Sequence, residues 1–245
     1  MTLLEDVLEA HGGRERWAAV RTIRGRVRSG GLLVRTRFPG NRMDGRLEVR
    51  VGEPVATAEP FPREGARGVF DHGSVRIETL DGEVLESRER PRERFFGLSG
   101  LRRNLRWDAL DAGYFAGYAW WNYLNAPYLL LREEVSVHEG EPWRERGAGE
   151  TWRRLEARFG GDLDTHSPRQ TFYYDGELRL RRHDYVAEVV GRWAHAAHLC
   201  ADHVEVGGLV FPTRRWVRPI GPRNAPLALP TLVSLQLSGI EVQQA

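Results

Sequence analysis

His198, Cys200 and Asp202 stand at alternate positions, so a strand through them turns an imidazole, a thiol and a carboxylate onto one face. The Gly207-Gly208 pair that follows suits a two-residue hairpin turn, because both centres tolerate positive φ. Pairing back from that turn sets Val206 against Leu209, Val204 against Phe211, Asp202 against Thr213, Cys200 against Arg215 and His198 against Val217. That face is apolar beside the turn and polar further along. Burying His, Asp and Arg is costly unless they pair, so the face is expected to line a site and not only a core.

A second run with chemistry in it, Arg181-Arg182-His183-Asp184-Tyr185, lies one hairpin earlier. A two-residue turn at Gly191-Arg192 brings Tyr185 opposite His198 and His183 opposite Cys200, whereas one bulge reverses the parity and presents Arg182 and Asp184 instead. Imidazoles titrate near neutrality, Tyr185 can donate to a developing oxyanion, Asp184 or Asp202 can orient an imidazole, and Arg182 or Arg215 can hold a carboxylate or enolate. The candidate acid–base set is therefore His183, Tyr185, His198, Arg215 and Asp184. A structural ion-pair network is the competing reading. A metal centre and a Cys-His nucleophile are weaker: one thiol among mixed ligands is a poor zinc framework, and Cys200 and His198 side chains lie about 7 Å apart along a strand. No metal site and no cofactor are expected.

The elements that must position these groups follow from alternation and turn residues. Strands are expected over 22–28, 32–38, 46–51, 68–76, 77–86 about Asp81-Gly82, 128–138, 151–159, 169–174, 177–190 after an Asp175-Gly176 turn, 193–206, 209–218 and 232–242. Residues 53–68, 87–94, 162–168 and 221–230 read as loops, the third carrying His166. Two short helices, 3–10 and 14–20, open the chain. A long helix over 104–125, entered near Asp108 and stopped by Pro127, sets Tyr114, Phe115, Tyr118 and Trp121 at helical spacing. Such a stripe serves a core, or caps a concave sheet and offers Tyr118, Trp120, Trp121 and Tyr123 to an apolar ligand. His166, Gln170, Tyr173, Arg182, Cys200, Asp202, Phe211 and Thr213 complete the candidate ligand-binding set. The fold class expected is mainly β (α+β), one domain over 1–245, with a curved antiparallel sheet under the aromatic helix.

Composition narrows the function classes. All 36 basic residues are arginine, against 34 acids spread among them, so no segregated positive surface for nucleic acid is expected. The longest uncharged run, 112–131, contains Asn122, Asn125 and Pro127 and lacks a flanking basic cluster, which argues against a transmembrane segment. One cysteine makes no internal disulfide, and the first residues lack a basic region followed by an apolar one; a cytoplasmic location is the expectation.

Two opening helices, a long antiparallel meander, a helical insertion and the run Gly207-Gly208-Leu209-Val210-Phe211-Pro212-Thr213 resemble the lipoprotein-carrier superfamily typified by LolA and LolB. His11-Gly12-Gly13 with Trp17, Gly117-Tyr118-Ala119 and Arg182-His183-Asp184-Tyr185 are similarly shared with uncharacterised bacterial relatives. The resemblance implies a curved half-barrel whose concave face, covered by helices, holds acyl chains. The first expectation is thus a protein that binds an apolar or amphiphilic small molecule of lipid, polyketide or terpenoid type. The alternative is a cyclase or isomerase acting on such a molecule in the same cavity; the second is a protein-interaction module.

Overall fold

The computed structural model describes residues 2–40, 43–97, 100–101, 105–145 and 149–244. Thirteen strands of the described residues form one antiparallel sheet, curved and open. Six come from the first part of the chain: β1 (Val20–Gly30), β2 (Asp44–Arg50), β3 (Val55–Glu59), β4 (Ala66–Asp71), β5 (Ser74–Thr79) and β6 (Val84–Arg88). Seven follow: β7 (Val135–Arg144), β8 (Thr151–Phe159), β9 (Arg169–Tyr174), β10 (Leu180–Val186), β11 (His195–Val206), β12 (Leu209–Pro219) and β13 (Val233–Gln244). Each set is a meander, and the two join where β13 pairs with β1, leaving β6 and β7 as the edges. The chain must therefore pass from one edge to the other between β6 and β7. That crossing carries the long helix α4 (Ala109–Asn125), which is how an aromatic helix comes to cover the sheet.

Helix α1 (Leu3–Ala10) starts at a Thr2/Glu5 capping box and is followed by the shorter α2 (Arg14–Ala18), and α4 starts at an equivalent Asp108/Asp111 box. Gly117 of α4 lies so close to β4 that an added Cβ would meet Phe70 Cβ at 2.2 Å. Small residues on this flank let α4 press onto the N-terminal half of the sheet, burying Phe61, Phe70, Val75 and Ile77. The opposite flank, with Tyr114, Tyr118 and Asn122 at four-residue spacing, is free to meet other parts of the chain.

Several expected elements change. Residues 32–37 form a helix, α3 (Leu32–Arg37), and not a strand, because Leu32-Leu33-Val34 is a contiguous apolar run without alternation. The expected 53–68 loop contains β3, which fits between Pro54 and Pro60, so the prolines bound the strand instead of interrupting it. The expected 68–76 strand is split by a turn at His72-Gly73, both at positive φ. Residues 128–131 form a 3-10 turn before β7 begins. The long helix begins at Ala109; Asn104, where it was expected to start, lies outside the described residues.

Candidate functional site

Gly207 and Gly208 both take positive φ, and the ladder from that turn is the expected one, with Val206 opposite Leu209, Cys200 opposite Arg215 and His198 opposite Val217. The next hairpin differs. Residues 187 and 194 close a longer connection in place of a two-residue turn, so His183 faces His198 and Tyr185 faces Ala196. The slip is two residues, an even number, and His183, Tyr185, His198 and Cys200 still share one face.

At the other end of β10, the Asp175 carboxylate accepts from the Glu177 and Arg179 amides, building a wider turn than the expected Asp175-Gly176 pair. The strand starts at Leu180, and a bulge between Leu180 and Arg182 follows at once. Leu180 therefore sits with Tyr174 while Arg182 sits with Tyr173 on the opposite face. Both readings of the Arg181–Tyr185 run hold in one strand: His183 and Tyr185 point inward beneath the helix, and Arg182 and Asp184 point outward.

The inward groups form a connected network. Loop residue His166 is hydrogen-bonded through Nδ1 to the Tyr118 hydroxyl at 3.2 Å and through Nε2 to the Tyr123 hydroxyl at 2.8 Å. The Tyr123 and Tyr185 hydroxyls are 3.2 Å apart, and the Tyr185 hydroxyl is 3.5 Å from His198 Nδ1. His166 stacks on Tyr185 with ring centroids 3.9 Å apart, and His183 stacks on Phe172 at 4.1 Å. His183 Nε2 meets the Gln170 amide oxygen at 2.6 Å. Where open space was expected between helix and sheet, the His166 ring stands. Its loop is fixed by polar contacts: Tyr114 donates to Asp164 at 2.5 Å, Asn122 to the Asp164 carbonyl at 2.9 Å, and Arg92 to the Thr165 carbonyl at 2.8 Å and to Glu188 at 2.9 Å.

Burial sets the protonation of this network. Loss of hydration pushes His166 down to about 3, with Arg92 adding to the effect, and holds His183 and His198 well below the ordinary imidazole range, with the Arg215 charge contributing to both. The same cause raises the Tyr118, Tyr123 and Tyr185 phenols and the Cys200 thiol. All these groups are neutral at pH 7. Each neutral imidazole carries one N–H, so His166 donates to one phenol and accepts from the other.

Arg182, Asp184 and Tyr173 are on the far face and do not join this network. Arg182 donates to both Asp184 oxygens, at 2.7 and 2.8 Å, to Glu145 at 2.9 Å and to the Asn224 carbonyl at 2.9 Å, while Tyr173 donates to Asp184 at 2.9 Å. This is a satisfied ion-pair cluster under strand and loop, which removes Arg182, Asp184 and Tyr173 from any inward lining. Asp202 takes positive φ and stands in solvent paired with Arg214, and its neighbour Thr213 donates to the Asp202 carbonyl; neither reaches the network. Trp120, Trp121 and Phe211 are buried in the core, Trp121 donating to the Arg50 carbonyl at 2.9 Å. Tyr114 is read from sequence only as part of the aromatic stripe, and Asn122, Arg92 and Asp164 are given no site role; the four-residue spacing from Tyr118 signals Tyr114 and Asn122, and nothing local signals the other two.

An open trough of about 700 Å³ lies elsewhere, on the other face of the N-terminal half, among Arg24, Glu48, Arg67, Asp71, Arg76 and Glu78. Among the described residues no group of three or more His, Cys, Asp or Glu is placed to hold a metal ion, and no helix is long and apolar enough to cross a membrane.

No family model and no curated protein matches the chain. Solved structures do. A LolA superfamily protein from Nitrosomonas europaea aligns over 99% of this chain and 94% of its own, with a TM-score of 0.51 at 11% identity. The fold is that of a LolA-like half-barrel. A DUF1329 family protein from Desulfovibrio piger covers 98% of this chain and 92% of its own with a TM-score of 0.52 at 10% identity. A putative outer membrane lipoprotein-sorting protein domain from Vibrio parahaemolyticus covers 98% and 93% with a TM-score of 0.50 at 10% identity. At such identity the likeness is one of fold. Within the half-barrel, α4 and the His166 loop cover the concave face, and the neutral His-Tyr network is the stretch of that face that departs most from a plain apolar core.

Proposed function

We propose that the protein binds an apolar or amphiphilic small molecule on the concave face of its LolA-like half-barrel, against Phe172, Tyr185 and Tyr123. The observation that carries this reading is the nature of the cover. The 162–168 loop is held by side-chain hydrogen bonds from Tyr114, Tyr118, Asn122 and Arg92, which the polar head of an amphiphilic molecule can replace, and by the Glu188 amide on the His166 carbonyl; it lies over a wall of aromatic rings that suits an apolar body. Binding displaces the His166 ring and uses the space it fills.

The linked chain Tyr118–His166–Tyr123–Tyr185–His198 favours one second reading, a cyclase or isomerase that moves protons along those hydroxyls and imidazoles. A base held far below neutrality is a weak one, so binding stands first. Native mass spectrometry of the protein as purified tests it: a retained adduct of lipid-like mass is expected, and a bare chain after expression in lipid-replete cells would contradict it. His198→Ala separates the readings, since a binder loses affinity modestly whereas an enzyme loses turnover and keeps binding.

A further inference from the structure

Building on the concave-face reading, we propose that the bound molecule carries a single carboxylate, received by Arg215 together with Tyr174 and His198. Two arginines are fully buried among the described residues, and the other one, Arg182, faces Asp184 and Glu145; the half-buried Arg88 and Arg92 face Asp108 and Asp111, and Glu188. Arg215 is 2% exposed and makes no ion pair among the described residues. Its partners are the Tyr123 carbonyl at 3.0 Å, the Cys200 sulfur at 3.3 Å and the face of the Tyr123 ring at 5.0 Å. None carries a negative charge, since burial keeps the thiol protonated. A guanidinium does not shed its proton to escape this situation, as a lysine or histidine would.

Three buried polar atoms on the same face lack a hydrogen-bond partner: Arg215 Nε, the Tyr174 hydroxyl and His198 Nε2. They gather about Cys200. Arg215 is its cross-strand partner, His198 stands two residues along the strand, and the Tyr174 phenol feels the thiol electrostatically. In the tautomer whose Nδ1 accepts from Tyr185 the imidazole proton is on Nε2, and all three unfilled atoms are then donors.

A monocarboxylate matches this set in charge and in acceptor number. One negative charge answers one guanidinium, and two oxygens offer enough lone pairs for three donors. A phosphate dianion would bring a second charge among neutral imidazoles, and an uncharged head would leave Arg215 unanswered. The adjoining Phe172, Tyr185 and Tyr123 rings take the apolar remainder, so the ligand class is a fatty-acid-like monocarboxylate.

Calorimetric titration of the full chain with laurate and with methyl laurate, identical in chain and differing in charge, tests this. Laurate is expected to bind about thirtyfold more tightly at neutral pH. Tyr174→Phe, which removes one hydroxyl and keeps the ring, should weaken laurate severalfold and leave the ester unchanged; Arg215→Met should bring the two ligands within threefold of each other. Equal affinity of wild-type protein for acid and ester overturns the carboxylate assignment alone, and so does an Arg215→Met protein that keeps the preference. Failure of both ligands to bind overturns the concave-face reading and this proposal with it.

Discussion

Acidification from neutrality to about pH 5 is expected to lower the urea midpoint steeply. Five imidazoles are responsible. His11 and His203 are pushed down to about 4 and His166 to about 3, while His183 and His198 are held well below the ordinary range, all chiefly by loss of hydration. In the unfolded chain each titrates at its ordinary 6.5. A depressed folded value means that the stabilising contribution is complete above 6.5 and is lost as pH falls, at about 1.4 kcal/mol per pH unit for each group. For His166 that loss continues to about pH 3, reaching about 2 kcal/mol at pH 5. The other four imidazoles act in the same direction over the same pH range. Asp164 and Asp184, raised by burial, act in the opposite sense, but they are two against five. A urea midpoint that stays flat from pH 8 to pH 5 would show that the network is not buried and neutral.

Arg182→Ala is expected to cost about 3–5 kcal/mol in urea denaturation, the loss typical of a buried ion pair deprived of one member. The residue is fully buried, and its removal leaves the Asp184 and Glu145 carboxylates facing each other with little water. The stacking of the guanidinium over Tyr173, 5.0 Å from the ring centroid, disappears too. Replacing the cluster together, as Arg182→Met with Asp184→Leu and Glu145→Gln, should restore more than half of the loss, because no uncompensated charge then remains there. A loss below about 1 kcal/mol would mean that water reaches the cluster. Since Arg182 lies on the far face of β10, neither variant should alter ligand preference at the concave face.

Period-two patterning made much of the C-terminal sheet legible. The Gly207-Gly208 turn fixed a ladder that holds to Val217 except at Asp202, which takes positive φ and is not paired with Thr213, because both glycines take the positive φ that the tight turn needs. The Gly191-Arg192 turn misled in register but not in face, since the true connection is longer by an even number of residues. The strand changes sides at the bulge between Leu180 and Arg182, and no residue in the run marks where it falls. What stayed hidden was the plug. His166 meets Tyr118, Tyr123 and Tyr185 through a loop whose path depends on Arg92 and Glu188, far apart in sequence, and periodicity does not encode contacts of that kind. The loop reading of residues 87–94 likewise did not show that Arg88 and Arg92 turn to Asp108, Asp111 and Glu188.

A fatty acid bearing a diazirine on its chain, photolysed with the full protein and mapped by peptide mass spectrometry, reports directly on where the molecule is held. Label on the peptides around Tyr118–Tyr123, Asp164–Ser167, Phe172 and Tyr185, suppressed by excess laurate, is the result expected. Label confined to the charged trough about Arg24, Glu48 and Arg76, or label that excess laurate leaves untouched, would contradict binding on the concave face.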